Sequence, residues 1–265
     1  MSFSNDFQQG MRVAVGTEAL LNSITIDTHV HSCLSPCATL DMTPVKIVRE
    51  SLKHKLTMIA ITDHNSAENA AAVMASAAGT GLVVIPGMEI TTAEEAHIIG
   101  LFEDVEEALS MQAIVYRHLF PGENDPDLFG LQVVANEYDE VQAINTRLLI
   151  GGTALTLTEV VNGIHKHGGL AVAAHIDRRS FSVISQLGFI PDDLNFDALE
   201  ISRRLTLPQA RSSYAEYANV PFISASDAHD LDELGASPTR VRVAAPRLAE
   251  LKLAFKGIDG RKILN

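Results

Sequence analysis

The sequence predicts an α/β fold built on a mainly parallel, barrel-like sheet, and two observations carry that expectation. Short apolar runs alternate with helical patterns along most of the chain, as βα units require. Polar residues of metal-ligand type gather where those runs end, the edge at which a (β/α) barrel builds its active site. At 265 residues, 46% of them hydrophobic, the chain can bury one sizeable core. It is expected to fold as a single domain over residues 1–265.

Seven runs read as strands: Ile24–Thr28, Met58–Thr62, Leu82–Pro86, Ala96–Phe102, Leu170–Ala174, Ala198–Ser202 and Phe222–Ala225. Helices separate several of them. Thr43-Pro44 starts one that reaches about Lys55, with proline in the first turn where its missing N–H is harmless. Ser66 opens an alanine-rich helix that ends at Gly79. Thr158-x-x-Val161 opens another, ended by Gly168-Gly169. Pro208 and Pro246 start two more, the last running through about Phe255. From about 103 to 157 the alternation breaks into two helix-like patterns and an acidic Pro/Gly loop, Pro121–Pro126, with little strand character. This stretch is expected to be a mostly helical insertion or cap packed beside the barrel.

The formal charge is −13, from 33 acidic and 20 basic residues. A long nucleic-acid duplex demands clustered Lys and Arg, so the bulk charge points to a small phosphorylated partner, with bound divalent cations reversing the charge locally. The two cysteines, Cys33 and Cys37, are four residues apart and make no disulfide framework, which fits a reducing compartment. Met1–Gly10 lacks an apolar signal region, and no apolar run approaches the roughly 20 residues of a membrane helix. A cytoplasmic protein without a membrane partner is expected; nothing in the sequence sets its oligomeric state.

The chemistry lies in the strand ends. The first strand runs into Asp27-Thr-His29-Val-His31, and in extended chain positions i and i+2 share a face, so both imidazoles can reach one ion. The second ends Thr62-Asp63-His64, the third Gly87-Met88-Glu89, and the fourth carries His97. The fifth ends at His175 and the seventh at Asp227-Ala-His229. Mostly nitrogen donors with bridging carboxylates suit Zn, Mn or Fe better than Ca. More ligands than one tetrahedral ion can hold imply two or three divalent ions.

Taken in order, His29-x-His31, Thr62-Asp63-His64, Gly87-Met88-Glu89, His97, His175 and Asp227-x-His229 resemble the motif series of the PHP (polymerase and histidinol phosphatase) superfamily. The resemblance implies a distorted (β/α)7 barrel and a metal-dependent phosphoesterase that hydrolyses small phosphomonoesters or short phosphodiesters. It places His29, His31, Glu89 and Asp227 around one ion, His64 and His229 on a second, and His97 and His175 with Glu89 on a third. A loop ligand follows the first histidine pair in that family; here Cys37 is the first choice and Asp41 the second. Glu89, Asp227 and Arg178 are the expected catalytic groups, and Arg178, Arg203 and Arg204 the expected phosphate contacts, because a guanidinium pairs two N–H groups with phosphate oxygens. A water that divalent ions acidify would attack phosphorus in line. Asp27 and Asp63 are expected to accept from the N–H of a ligand histidine. A non-catalytic metal-binding regulatory or scaffold domain is the alternative.

The remaining histidines read as ordinary. His54 closes a cationic helix end, His165 and His167 are two apart on a helix and face different ways, and His118 lies in the 103–157 stretch.

Overall fold

A computed structural model describes residues 20–264; the reading of Met1–Gly10 lies outside the described residues. The chain runs β1 (Asn22–Val30), α1 (Pro44–Lys53), β2 (Met58–Ile61), α2 (Ala70–Ala77), β3 (Val83–Thr91) and β4 (His97–Leu101). It continues α3 (Val105–His118), α4 (Pro126–Phe129), β5 (Val133–Ala135), β6 (Val141–Ile144), α5 (Leu157–Lys166), β7 (Leu170–Ala173) and α6 (Val183–Leu187). Last come β8 (Ala198–Ile201), α7 (Leu207–Ser213), β9 (Phe222–Ser224), β10 (Thr239–Val243), α8 (Leu248–Phe255) and β11 (Lys262–Ile263).

Nine strands form one sheet in the order β11-β10-β1-β2-β3-β4-β7-β8-β9. It curls into a nearly closed barrel. Its far edge meets β1 where Val30 bridges Ala228 and the His31 N–H donates to Ala228 O at 3.0 Å. β1, β2 and β3 are parallel, as are β7, β8 and β9, while β4 runs antiparallel to both its neighbours. That reversal matters for the site: the N-terminal end of β4 lies at the same edge as the C-terminal ends of the parallel strands.

All seven runs read from the sequence form strands. β3 continues past Pro86 through Glu89 to Thr91 and pairs there with β4. β10 and β11 are additions, and β10 pairs antiparallel with β1. Alternation sorts the core. Met58, Ala60 and Ile85 cluster with Leu170, Val172 and the α8 residues Leu251 and Phe255. Their neighbours Ile59, Ile61 and Val84 pack on the other face against Ile47 and Val48 of α1 and Val73 of α2.

α1 starts at Pro44 as expected, whereas α5 and α7 start where a side-chain cap sets them. α5 begins at Leu157 because Thr156 accepts from the Glu159 N–H and Glu159 reaches back, a capping box that lies ahead of the expected start at Thr158. Thr206 and Gln209 do the same for α7. α2 starts only at Ala70, since the Ser66 hydroxyl is engaged with Gln112 and Tyr116 of α3.

Residues 103–157 hold one long helix, α3, the single turn α4, and a two-stranded β5–β6 hairpin where a second helix was expected. The hairpin and the segment after it hang on two barrel asparagines. Asn69 Nδ2 donates to Val133 O at 2.9 Å and its Oδ1 accepts from Ala135 N at 3.0 Å. Asn65 Nδ2 donates to Leu149 O and Gly151 O, both at 2.8 Å.

Gly87 sets how closely β3 and β4 approach. A Cβ there would lie 2.7 Å from the Gly100 carbonyl, a backbone atom that cannot swing aside. Gly87→Ala is therefore expected to lower stability by about 1–3 kcal/mol, the usual cost of overpacking. A denaturant midpoint equal to that of the parent chain would refute this.

Candidate metal centre

The strand ends deliver one buried cluster. Glu89, only 1% exposed, stands at its middle. Glu89 Oε1 lies 2.8 Å from His97 Nδ1, 3.2 Å from His175 Nε2 and 3.4 Å from His29 Nε2. Glu89 Oε2 lies 3.0 Å from His64 Nδ1 and 3.6 Å from His31 Nε2. Its backbone is pinned as firmly: the N–H donates to Asp63 O and the carbonyl accepts from Asn65 N. Burial alone would raise the Glu89 carboxyl, but the imidazoles of His97, His29 and His64 outweigh it and hold the group well below the usual carboxylate range.

Two relays aim the first histidine pair. His29 Nδ1 donates to Glu200 Oε1 at 2.9 Å. His31 Nδ1 donates to the Ser35 hydroxyl at 2.9 Å, which donates in turn to Asp63 at 2.7 Å. Each N–H is thereby held on Nδ1, and both Nε2 lone pairs point inward, 3.1 Å apart. Asp227 Oδ1 lies 3.2 Å from each of them. Lone pairs facing one another at this range repel unless a cation sits between them. An ion with bonds of about 2.1 Å sets its ligands roughly 3.0–3.4 Å apart, the spacing found here.

The other donors fit the same interpretation. His31, His64 and His229 offer ring nitrogens within 4.8 Å of one another, and ring nitrogens of His64 and His97 lie within the same distance of each other and of a Glu89 carboxylate oxygen. The His229 Nδ1–H donates to Asp227 O at 2.9 Å, leaving Nε2 free. His175 Nδ1 is buried with no hydrogen-bond partner, a cost of a few kcal/mol unless a ligand meets it.

Cys37 and Asp41 separate cleanly. The Cys37 thiol faces His229 and His64; desolvation opposes its ionisation, but the imidazoles outweigh it and bring it down to about 6. Asp41 points to solvent and pairs with Lys46 at 2.5 Å. Buried Cys33 is pushed up to about 12, mainly by desolvation, and is inert.

Arg178 enters the cavity and pairs with Asp227. That cavity, about 250 Å³, is lined by Cys37, His64, Glu89, His97, His175, Asp227 and His229 with Ile150 and Phe181 at its apolar side. Arg203 and Arg204 are exposed on the adjoining loop and do not line it; Arg203 pairs with Glu233 at 2.8 Å. Backbone strain gathers here too. Asn65, His175, Phe181 and Asp227 are non-glycine residues at positive φ, a conformation that persists only where the surroundings enforce it.

Some expectations fail. Asp27 accepts from no histidine ring; it meets the His29 backbone N–H and accepts from Ser226 N and Gly235 N at 3.0 and 2.9 Å, fastening the segment after β9 to β1. Asp63 serves His31 only through Ser35. The carboxylate that does orient a ligand is Glu200, fully buried at the end of β8. A lone Glu between Leu199 and Ile201 in an apolar strand was the available signal. His165 meets Asp197 at 2.8 Å, away from the cluster.

Removing that buried carboxylate tests the relay. Glu200→Gln is expected to weaken divalent-metal affinity about 10- to 100-fold, read by competition with a chelating dye. Unchanged affinity would show that His29 needs no such partner.

The fold has counterparts. The 5'-3' exoribonuclease Rnm of Escherichia coli strain K12 is 24% identical over 255 residues, covering 80% of this chain and 86% of the relative. The lesion-specific endonuclease PfuEndoQ from Pyrococcus furiosus superposes with a TM-score of 0.71 at 19% identity over 91% of this chain; this chain spans 58% of it. A second endonuclease Q structure, in complex with a 27-mer duplex bearing an abasic lesion at the active site, gives a TM-score of 0.69 at 18% identity, with the same coverage. This corrects the expectation of a small phosphorylated partner and no long duplex, since the same fold holds a duplex in that relative. Bulk charge is a weak guide to such a partner because a phosphate senses charges within a screening length of about 8 Å, and Arg178 lies in this cavity with Arg203 and Arg204 on the adjoining loop. Among the described residues no helix is long and apolar enough to cross a membrane. The PHP domain model matches residues 27–176, more than half of the 265, and the chain belongs to the PHP domain family.

Proposed function

We propose that this protein is a metal-dependent phosphoric ester hydrolase that cleaves phosphodiester bonds of nucleic acid. The observation that carries the proposal is the buried Glu89 carboxylate with five imidazoles within 3.6 Å and an arginine in the same cavity. No structural role calls for that concentration of donors beside a guanidinium. The named activities of the exoribonuclease and endonuclease relatives support a nucleic-acid substrate.

In this reading His29, His31, Glu89 and Asp227 hold one divalent ion. His64 and His229, with Cys37 beside them, hold a second; His97 and His175 share a third with Glu89. Zn, Mn and Fe all suit such a donor set. Bound divalent ions acidify water and screen charge on the non-bridging phosphate oxygens. The chain's own groups do the rest. Glu200 and Ser35 keep His29 and His31 in the tautomer that donates lone pairs inward. Arg178, already within reach of Asp227 in the cavity, offers its N–H pairs to phosphate oxygens. Ile150 and Phe181 give one side of the cavity an apolar lining.

Full-length protein loaded with Mn²⁺ should release nucleotides from RNA or DNA strands, lose that activity to a chelator and regain it with the metal. Glu89→Gln should lower kcat about 100- to 1,000-fold or more while leaving the circular-dichroism spectrum intact. Metal bound at full occupancy with no turnover of any nucleic acid would support the scaffold alternative and sink this one.

A further inference from the structure

We infer that the rim of this centre carries a lip, formed by Phe181 with Arg179 and Arg204, that takes an unpaired nucleotide beside the scissile phosphate. The inference rests on the proposed hydrolase and names its substrate more closely: a single-stranded stretch or end.

Phe181 does not fit the needs of a metal site. It lines the cavity with Ile150, yet 44% of the residue is exposed. Its ring stacks on His97 at 4.8 Å with 20° between planes, and its carbonyl accepts from the His97 N–H at 2.8 Å. The backbone is held at φ +57°, a left-handed conformation unfavourable for a bulky residue. A side chain that only buttressed His97 would be stable buried and unstrained; this one presents aromatic surface at the mouth of a polar cavity. Every nucleobase has a π-face, and stacking on such a ring is how proteins take hold of unpaired strands.

The loop that carries the ring is rigid. The Ser182 hydroxyl donates to Arg178 O at 2.8 Å and caps α6. Asp177 accepts from Ser202 N at 2.7 Å and from the Ser202 hydroxyl at 2.6 Å, which ties the loop to residues 202–206. Each of these adjoining loops bears two consecutive arginines. Arg178 is paired with Asp227 and Arg203 with Glu233. Arg179 and Arg204 are exposed, and among the described residues neither side chain has a hydrogen bond or ion pair. In a chain with 33 acidic and 20 basic residues, two unpartnered arginines, one on the loop that carries the ring and one on the loop tied to it, supply a local site for a strand's phosphates.

The test compares a labelled single strand with the same strand bearing an abasic nucleotide at the cleaved position, using Mn²⁺-loaded full chain. Phe181→Ala should raise KM for the base-bearing strand about 5- to 150-fold, the range base stacking supplies, so that the preference for it over the abasic strand collapses. Phe181→Trp should retain the preference. The pair Arg179→Ala and Arg204→Ala should flatten the dependence of log KM on log salt by about 1.4, roughly 0.7 for each single-strand phosphate that is no longer neutralised. Equal loss on both strands with Phe181→Ala, or no loss, would reduce Phe181 to a support for His97 and overturn the lip. Strand binding by fluorescence anisotropy separates the two proposals. Binding that Phe181→Ala weakens, without wild-type turnover, would retain the lip and remove the hydrolase; turnover by the wild type with no change in binding would do the reverse.

Discussion

One buried carboxylate organises this molecule. Glu89 lies among His29, His31, His64, His97 and His175, in a place where an unpaired charge would be costly to desolvate. Those histidines come from the ends of β1, β2, β4 and β7, so the barrel must close for the carboxylate to be compensated. The details of the sheet serve that meeting. β3 extends beyond its expected end to carry Glu89 inward, and Gly87 lets β4 pass close. The antiparallel course of β4 then brings His97 back to the catalytic edge, where a parallel strand would have carried it away.

How much of this was visible in the sequence depends on how the signal is written. The seven apolar runs were legible because buried strands read as uninterrupted hydrophobic stretches, and the candidate ligands were legible because all but His97 and Cys37 stand at or just past the end of such a run. β10 was not, although Thr239-Arg-Val-Arg-Val243 alternates strictly and its burial alternates with it. It is a half-solvated strand, and a search for apolar runs passes over period-two patterns. The β5–β6 hairpin is shorter still, and β6 is exposed throughout, so neither pattern marks it. Glu200 was missed for another reason: a single carboxylate in a strand acquires meaning only when His29, 171 positions earlier, is seen against it.

The substrate was the least legible part. Net charge is a property of the whole surface, whereas phosphate recognition is decided within a few ångströms. The acidic excess is spread over the chain while four arginines fall on two loops that Asp177 and Ser202 hold together. A sequence count averages the two and loses the local excess.

Asn65 and Asn69 fasten one wall of the molecule by its backbone. Both are buried and rooted beside metal-ligand segments, and they grip the wall formed by residues 133–151 through peptide carbonyls and amides, not through its side chains. A clamp that reads only backbone is indifferent to what the wall is made of. The barrel therefore resembles a fixed tool head with a replaceable jaw. The jaw could acquire new length or new side chains, and with them a new substrate, while the donors behind it keep their spacing.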